Sequence, residues 1–235
     1  MSDKVIVTIG KTTQAVLQSF MKINNSIVFN ELETNSRSAF GFKMSSYKNW
    51  HMPKTLALNS LNKLLSALKM SNTEEVEIRD DHLLITNTAN PKESIKLFFA
   101  EEEHIETLKP GFEEIIPKHS VEFEITSEEI KKLLKAASAL ELKSIIFSFK
   151  DDKMLFTVCH QGDKYSDKFK VERTLDEEVD EEFDIILRSS DFIFIDGDYT
   201  VRTSPAGYVT FTYKNDEDAE EQLDLMYVLS SGVDE

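Results

Sequence analysis

The chain has 235 residues, 40% of them hydrophobic and 30% charged, enough for one large domain or two modest ones with cores of their own. Its 43 acidic and 27 basic residues give a net charge of −16, which argues for solubility and against indiscriminate nucleic-acid binding while leaving room for a local basic surface. One cysteine, Cys159, excludes a disulfide framework; Met1-Ser2-Asp3-Lys4 lacks a signal peptide's apolar core and no apolar run approaches membrane-spanning length, so a cytoplasmic protein without membrane contact is expected.

The first predicted element is an alternating strand, Val5, Val7 and Ile9. It runs into an amphipathic helix whose buried stripe is Thr13, Val16, Leu17 and Phe20. Strands follow over Ile27–Asn30 and Ser38–Lys43. From Lys43 to Lys54, Tyr47 and Trp50 are interleaved with lysines, the composition of a single-strand stacking platform. An edge strand and loop whose aromatics cover a sheet fits the same residues. A second helix is predicted over Asn59–Met70 with the stripe Leu61, Leu64, Leu65 and Leu68. A hairpin then pairs Glu75–Arg79 with Leu83–Thr86 across Asp80-Asp81, and a strand over Ile95–Ala100 closes the first half.

Residues 101–120 show little periodicity and contain Pro110, Gly111 and Pro117. Residues 106–120 therefore read as a connector between a first domain, 1–105, and a second, 121–235. Leu108, Phe112, Ile115 and Ile116 make it unusually apolar for a linker, so it must pack somewhere.

Beyond the connector the opening pattern returns. Val121, Phe123 and Ile125 alternate, and a helix follows with Ile130, Leu133, Leu134 and Ala137 on its stripe. Thr126-Ser-Glu-Glu129 is a capping box at its start. Strands are predicted over Ile145–Phe149, Met154–Val158, Phe169–Arg173 and Phe183–Leu187, then a short helix over Ser189–Ile195. The last strands are Thr200–Thr203, Tyr208–Tyr213 and Leu223–Leu229. The hairpin Val76–Thr86 corresponds to Val201–Thr212, and Ser94–Ala100 to Gln222–Leu229. The chain reads as an α+β fold made of one duplicated, sheet-rich domain with helices on one face.

Lys131, Lys132 and Lys135 lie off the stripe of their helix, as do Lys63 and Lys69 on theirs, and Lys11 and Lys22 bracket the first helix. Acidic residues concentrate in loops, at Glu101–Glu103, Asp176–Glu182 and Asp216–Glu221. Each helix alone reads as an ordinary solvated face; together they read as a basic surface that contacts phosphates without reading bases. Catalytic signals are missing. His51, His82, His104, His119 and His160 are dispersed, and the acidic run from Asp176 to Asp184 lacks the pattern of a calcium loop. Asp196-Gly197-Asp198 fits a tight turn, or less directly a two-metal nuclease site. With no phosphate-cradling glycine loop and no nucleophile elbow, no catalytic residue, metal or cofactor is expected.

The duplicated unit, basic helices, acidic loops and apolar connector together resemble the DNA polymerase sliding clamps, and those of bacteriophages more closely. Residues Thr12 to Phe20 with Ile23-Asn24 resemble the opening helix of those proteins, and Ile125–Leu142 the matching helix of their second half. Tyr208–Lys214, an acidic loop and Met226-Tyr-Val-Leu229 resemble the C-terminal part of cellular clamps. The resemblance implies antiparallel sheets outside and two helices per domain on an inner face. It implies a homotrimeric ring of six similar domains around duplex DNA, a non-enzymatic processivity factor that tethers the polymerase by its C-terminal peptide. An ATP-driven loader would open the ring. DNA would meet Lys11, Lys22, Lys63, Lys69, Lys131, Lys132, Lys135 and Arg188. The peptide would enter a groove formed by Leu108, Phe112, Ile115, Ile116 and Pro117 with Tyr208, Val228 and Leu229. Subunits would join through Ile95, Leu97 and Phe99 on one side and Tyr165, Phe169 and Val171 on the other. The alternatives are a monomeric DNA-binding processivity factor and a metal-dependent nuclease.

Overall fold

Period-two alternation followed by a helical stripe occurs twice, and each occurrence opens one of two units, Met1–Leu108 and Lys109–Glu235. The computed structural model describes residues 5–38, 43–48, 50–105, 119–163, 165–175, 179, 181–216 and 222–231. In the first unit the order is β1 (Val5–Thr8), α1 (Lys11–Ile23), β2 (Ile27–Phe29), β3 (Thr34–Arg37), β4 (Lys43–Tyr47), β5 (Leu56–Leu58), α2 (Leu61–Ser71), β6 (Glu75–Ile78), β7 (His82–Thr86) and β8 (Ser94–Phe98). The strands form two antiparallel sets, β1-β6-β7-β8 and β5-β2-β3-β4.

The second unit contains β9 (Val121–Ile125), α3 (Ser127–Ala139), β10 (Ser144–Lys150), β11 (Lys153–Cys159), β12 (Phe169–Thr174), β13 (Phe183–Arg188), β14 (Asp198–Ser204), β15 (Tyr208–Lys214) and β16 (Leu225–Ser230). Its sets are β9-β14-β15-β16 and β13-β10-β11-β12. Counted from its own first strand, each unit has the orders 1-6-7-8 and 5-2-3-4. The duplication read from the sequence is therefore a duplication of topology, and the predicted correspondences of hairpins and last strands hold.

Helices form on the predicted stripes, and α2 and α3 also carry side-chain N-caps, whereas Gly10 before α1 supplies none. In α1, Thr13, Val16, Leu17 and Phe20 are buried as predicted. In α2, Leu61, Leu64, Leu65 and Leu68 are buried, the Ser60 hydroxyl accepts from the Lys63 N–H, and Asn72 closes the helix in the left-handed region at φ 47°. The capping box of α3 is complete. The Thr126 hydroxyl accepts from the Glu129 N–H at 3.2 Å, and the Glu129 carboxylate accepts from the Thr126 N–H at 2.9 Å.

The predicted fourth helix is not formed. Ser189–Asp191 makes one 3-10 turn, and the chain then runs irregularly to β14. Phe192-Ile193-Phe194-Ile195 is a continuous apolar run without the spacing of a helical stripe, and its aromatic and β-branched residues favour extended backbone. Phe192 and Phe194 pack instead on Phe211, with ring centroids 5.9 and 4.5 Å away. Asp196-Gly197-Asp198 is the turn into β14, and a Cβ at Gly197 would collide with the Tyr213 ring. The strand predicted over Ser38–Lys43 is also corrected. Ser38 and Lys43 face each other across the β3–β4 connection, whose residues 39–42 lie outside the described ones. β3 is the polar run Thr34-Asn35-Ser36-Arg37, which has no apolar alternation to betray it, and three-residue β5 was missed for its shortness.

Tyr47 is fully buried, and Trp50 donates from Nε1 to the Thr8 carbonyl at 3.2 Å and meets Phe29 edge-on, so these aromatics cover a sheet. Cys159 is buried in the second unit, and burial pushes its thiol up. In that unit Phe123, Phe147 and Phe156 form a buried aromatic cluster, with Phe147 and Phe156 4.8 Å apart. Replacing Thr126 by Ala should destabilise the second unit by about 1 kcal/mol through loss of the cap. Phe147→Ala should cost about 3–5 kcal/mol through its cavity. Denaturant midpoints of the two variants measure both effects and their order.

Candidate nucleic-acid interface

The exposed face of α1 is the row Lys11, Ala15, Gln18 and Lys22, and that of α2 carries Asn62, Lys63, Ser66, Lys69 and Met70. Neither helix contains an acidic residue. α3 adds Lys131, Lys132 and Lys135 against Glu128 and Glu129. The three helices thus hold seven lysines and two glutamates in a chain whose net charge is −16. The stripe rule produces this arrangement, because apolar side chains at i, i+3, i+4 and i+7 turn inward and leave the remaining positions to solvent.

Several cations elsewhere are neutralised. Arg202 pairs with Glu122 at 2.6 Å, Lys150 with Glu182 at 3.0 Å and Lys153 with Glu172 at 3.2 Å; Arg79 pairs with Glu77. Lys11, Lys22, Lys63, Lys69 and Lys135, by contrast, have no ion-pair partner among the described residues. Arg188 is exposed at the end of β13 and is already engaged in an interaction.

The three lysines of α3 differ in position. Lys131 points to one flank, where its Nζ reaches the Asp196 carboxylate at 2.6 Å. The Ser127 hydroxyl also donates to Asp196, and the Ser127 N–H donates to Asp198 at 2.8 Å. Lys131 first, and Ser127 after it, hold the Asp196 carboxyl below the usual carboxylate range. Lys132 points to the other flank and lies 5.8 Å from the centroid of the Phe169 ring. On that flank Arg173 meets Glu129 at 3.3 Å and donates to the Glu124 carbonyl at 2.8 Å. Among the described residues, Lys135 alone of the three has no such contact. Sequence reasoning missed Asp196, Phe169 and Arg173 as partners of α3, since nothing periodic links positions so far apart in the chain.

Between α3 and the 192–197 segment lies a groove of about 230 Å³ whose floor is Ile130, Leu134, Phe192 and Phe194, with Lys131 and Asp196 on its rim. It is the space left beside α3 where the first unit packs α2 beside α1. No three His, Cys, Asp or Glu side chains converge to hold a metal among the described residues. No helix among the described residues is long and apolar enough to cross a membrane.

Of the predicted peptide groove, Leu108, Phe112, Ile115, Ile116 and Pro117 lie outside the described residues. Val228 and Leu229 are core residues, 0% and 2% exposed, and Tyr208 is half-buried. Of the predicted joining residues, Ile95, Leu97 and Phe99 are half-buried at β8, Phe169 and Val171 half-buried on β12, and Tyr165 is 98% exposed just before it. β8 and β12 are each the last strand of their sheet.

No protein-family model matches the sequence, and no curated protein matches it significantly. Solved structures do match in fold. The PCNA of A. fulgidus, seen with the C-terminal region of FEN-1, has 14% identity and a TM-score of 0.71, with 99% of each chain covered. The PCNA of Thermococcus kodakaraensis has 12% identity and a TM-score of 0.68, with 97% of this chain and 98% of that one covered. The H. pylori beta clamp, in complex with 5-chloroisatin, has 13% identity and a TM-score of 0.65 over 99% of this chain and 68% of its own. The chain has the fold of the sliding clamps.

Because the Asp196 carboxyl is held low in the folded state, its contact with Lys131 contributes fully above the ordinary carboxylate pKa of about 3.9 and is lost only as the pH falls through the lowered value. Lys131→Met should move the Asp196 titration up toward the ordinary range, which side-chain carboxyl NMR shifts will measure.

Proposed function

We propose that this protein is a sliding clamp, a non-enzymatic processivity factor that encircles duplex DNA and tethers a replicative polymerase. The observation that carries the reading is the placement of charge. Seven lysines and two glutamates occupy three helices of a strongly acidic chain, and five of those lysines have no ion-pair partner among the described residues. A path for phosphates needs such a surface, and the net acidity of the remainder disfavours binding elsewhere. The fold shared with PCNA and the beta clamp supports the same reading.

Two units per chain make a ring of six when three copies join head to tail, so the clamp is a homotrimer in this reading. A closed ring cannot thread onto an endless duplex, and an ATP-driven loader would open it. The A. fulgidus PCNA holds the C-terminal region of FEN-1; here the corresponding partner is the polymerase C-terminal peptide. The connector residues Leu108, Phe112, Ile115, Ile116 and Pro117, with Tyr208, would receive its apolar anchors. Glu113 and Glu114 would favour basic flanks. Tethering raises the polymerase's local concentration without new chemistry. The domain limits 1–105 and 121–235, the phage kinship and a cytoplasmic site of action belong to the same proposal.

DNA binding should be blind to sequence. Each phosphate contact adds about 0.9 to the magnitude of the log-log salt slope. Lys135→Ala should therefore lower the slope by about 0.9 for each of the three copies whose Lys135 meets a phosphate, while Lys131→Ala, whose ammonium is tied to Asp196, should change it little. Loaded protein should persist on circular DNA and leave when the circle is cut; equal loss from circles and linear duplexes would refute the ring, and a monomer by sizing would favour the single-copy processivity factor.

Ile116→Asp should abolish binding of the polymerase tail peptide and leave assembly intact, as read by peptide anisotropy beside a sizing column. Full polymerase stimulation by this variant would place the partner site elsewhere. Leu229, being core, is unsuited to the same test.

A further inference from the structure

We infer that Asp196 competes with DNA for Lys131: a fixed carboxylate takes the place of a phosphate and withholds one of the three lysines of α3 from the duplex. This assignment rests on the reading of the helix faces as a path for phosphates and names a residue that regulates it. Lys131 stands one helical turn before Lys135, so both can face one duplex. Its Nζ lies instead 2.6 Å from one oxygen of Asp196, and the other oxygen accepts from the Ser127 hydroxyl. An ammonium and a hydroxyl are the donors that a phosphate would take. With its carboxyl held low by Lys131 and then Ser127, Asp196 stays charged at neutral pH.

The carboxylate is the fixed member of the pair. Just before it, the Ile195 carbonyl accepts from the hydroxyl of fully buried Tyr199 at 2.6 Å. Just after it, Gly197 lies so close to the Tyr213 ring that a Cβ there would collide. Asp198 then accepts from the Ser127 N–H at 2.8 Å, which ties the turn to the first residue of α3. Lys131, by contrast, ends a flexible four-carbon stem. The Lys131 side chain is 62% exposed and that of Asp196 67%, and an exposed pair of this kind contributes little to stability. The fold does not depend on the contact, whereas the charge that α3 presents does.

The first unit has no such pair. Gln14 follows Thr13 on the stripe of α1 as Lys131 follows Ile130 on that of α3, and its amide donates to the Ile9 carbonyl at 2.8 Å. Neither α1 nor α2 contains an acidic residue. An arriving phosphate must therefore either leave Lys131 on Asp196 or draw it away from a carboxylate that remains nearby and repels the phosphate. In both cases the pair adds no net charge toward DNA. A protein that slides gains from this restraint, because every ammonium seated on a phosphate must leave it at each step.

A double-mutant cycle tests the assignment. Full-length wild type, D196N, K131M and D196N/K131M, with K135A as reference, are titrated with a short fluorescent linear duplex over a range of salt. Asparagine removes the charge and keeps an acceptor for Ser127. D196N should bind more tightly, and its log-log salt slope should steepen by about 0.9 for each copy whose freed Lys131 meets a phosphate. K131M should keep a slope close to that of the wild type, and D196N/K131M should lose the gain. A D196N slope equal to the wild type's, beside a shallower K135A, would overturn the role of Asp196 and leave the phosphate path standing. A gain that survives in D196N/K131M would make Asp196 a repelling charge only and refute the withholding of Lys131. Slopes unchanged in every variant, K135A included, would overturn the phosphate path and the role of Asp196 with it. Urea midpoints of D196N and wild type should agree; should that of D196N fall, Asp196→Ser takes its place in the same cycle.

Discussion

Each unit depends on one constraint: an amphipathic helix must bury its single apolar stripe on a sheet that itself has one apolar face. Val16, Leu17 and Phe20 of α1 and Ile130, Leu133 and Ala137 of α3 satisfy it at equivalent places in the two units. Everything at the surface of these helices is set by what the stripe excludes. Lysines fill many of the excluded positions, and all but Glu128 and Glu129 of α3 among the described acidic residues are left to strands and loops.

The second unit meets the same constraint with less helix. Where the first unit covers its sheet with the leucines of α2, the second uses Phe192 and Phe194, packed among Phe147, Phe211 and Tyr227. Aromatic side chains fill the volume from an irregular backbone, so a helix is not needed to close the core. The consequence is an uneven supply of charge. One unit presents lysines from two helices, and the other from α3 alone, where Lys131 and Lys132 are drawn to the flanks by Asp196 and Phe169.

Pairing across strands accounts for some of the cations outside that surface. Arg202 lies opposite Glu122 in the β14–β9 register and forms its ion pair there. Such exposed pairs contribute little to stability. They neutralise those particular cations, however, and so sharpen the contrast between helices and strands. Buried polar side chains follow a different rule. Glu33 is 6% exposed and accepts from Asn35 at 3.1 Å and Ser46 at 2.8 Å, which lets the polar strand β3 lie inside.

The sequence by itself determined the duplication, the helices α1, α2 and α3, the capping box and most strands, because period, stripe and cap are local properties written within a dozen residues. It also determined which lysines leave the helix stripes. Strand order was not legible locally, nor was the inward position of Thr34-Asn35-Ser36, since hydrogen-bonding partners far along the chain decide both. The failure of the fourth helix belongs here too: Phe192 and Phe194 find a better surface in the aromatic core than a helix of their own could offer. Tertiary structure alone decided which lysines remain free. Lys131 and Asp196 are 65 positions apart, and a charge is cancelled by what lies beside it in space, which no spacing along the chain records.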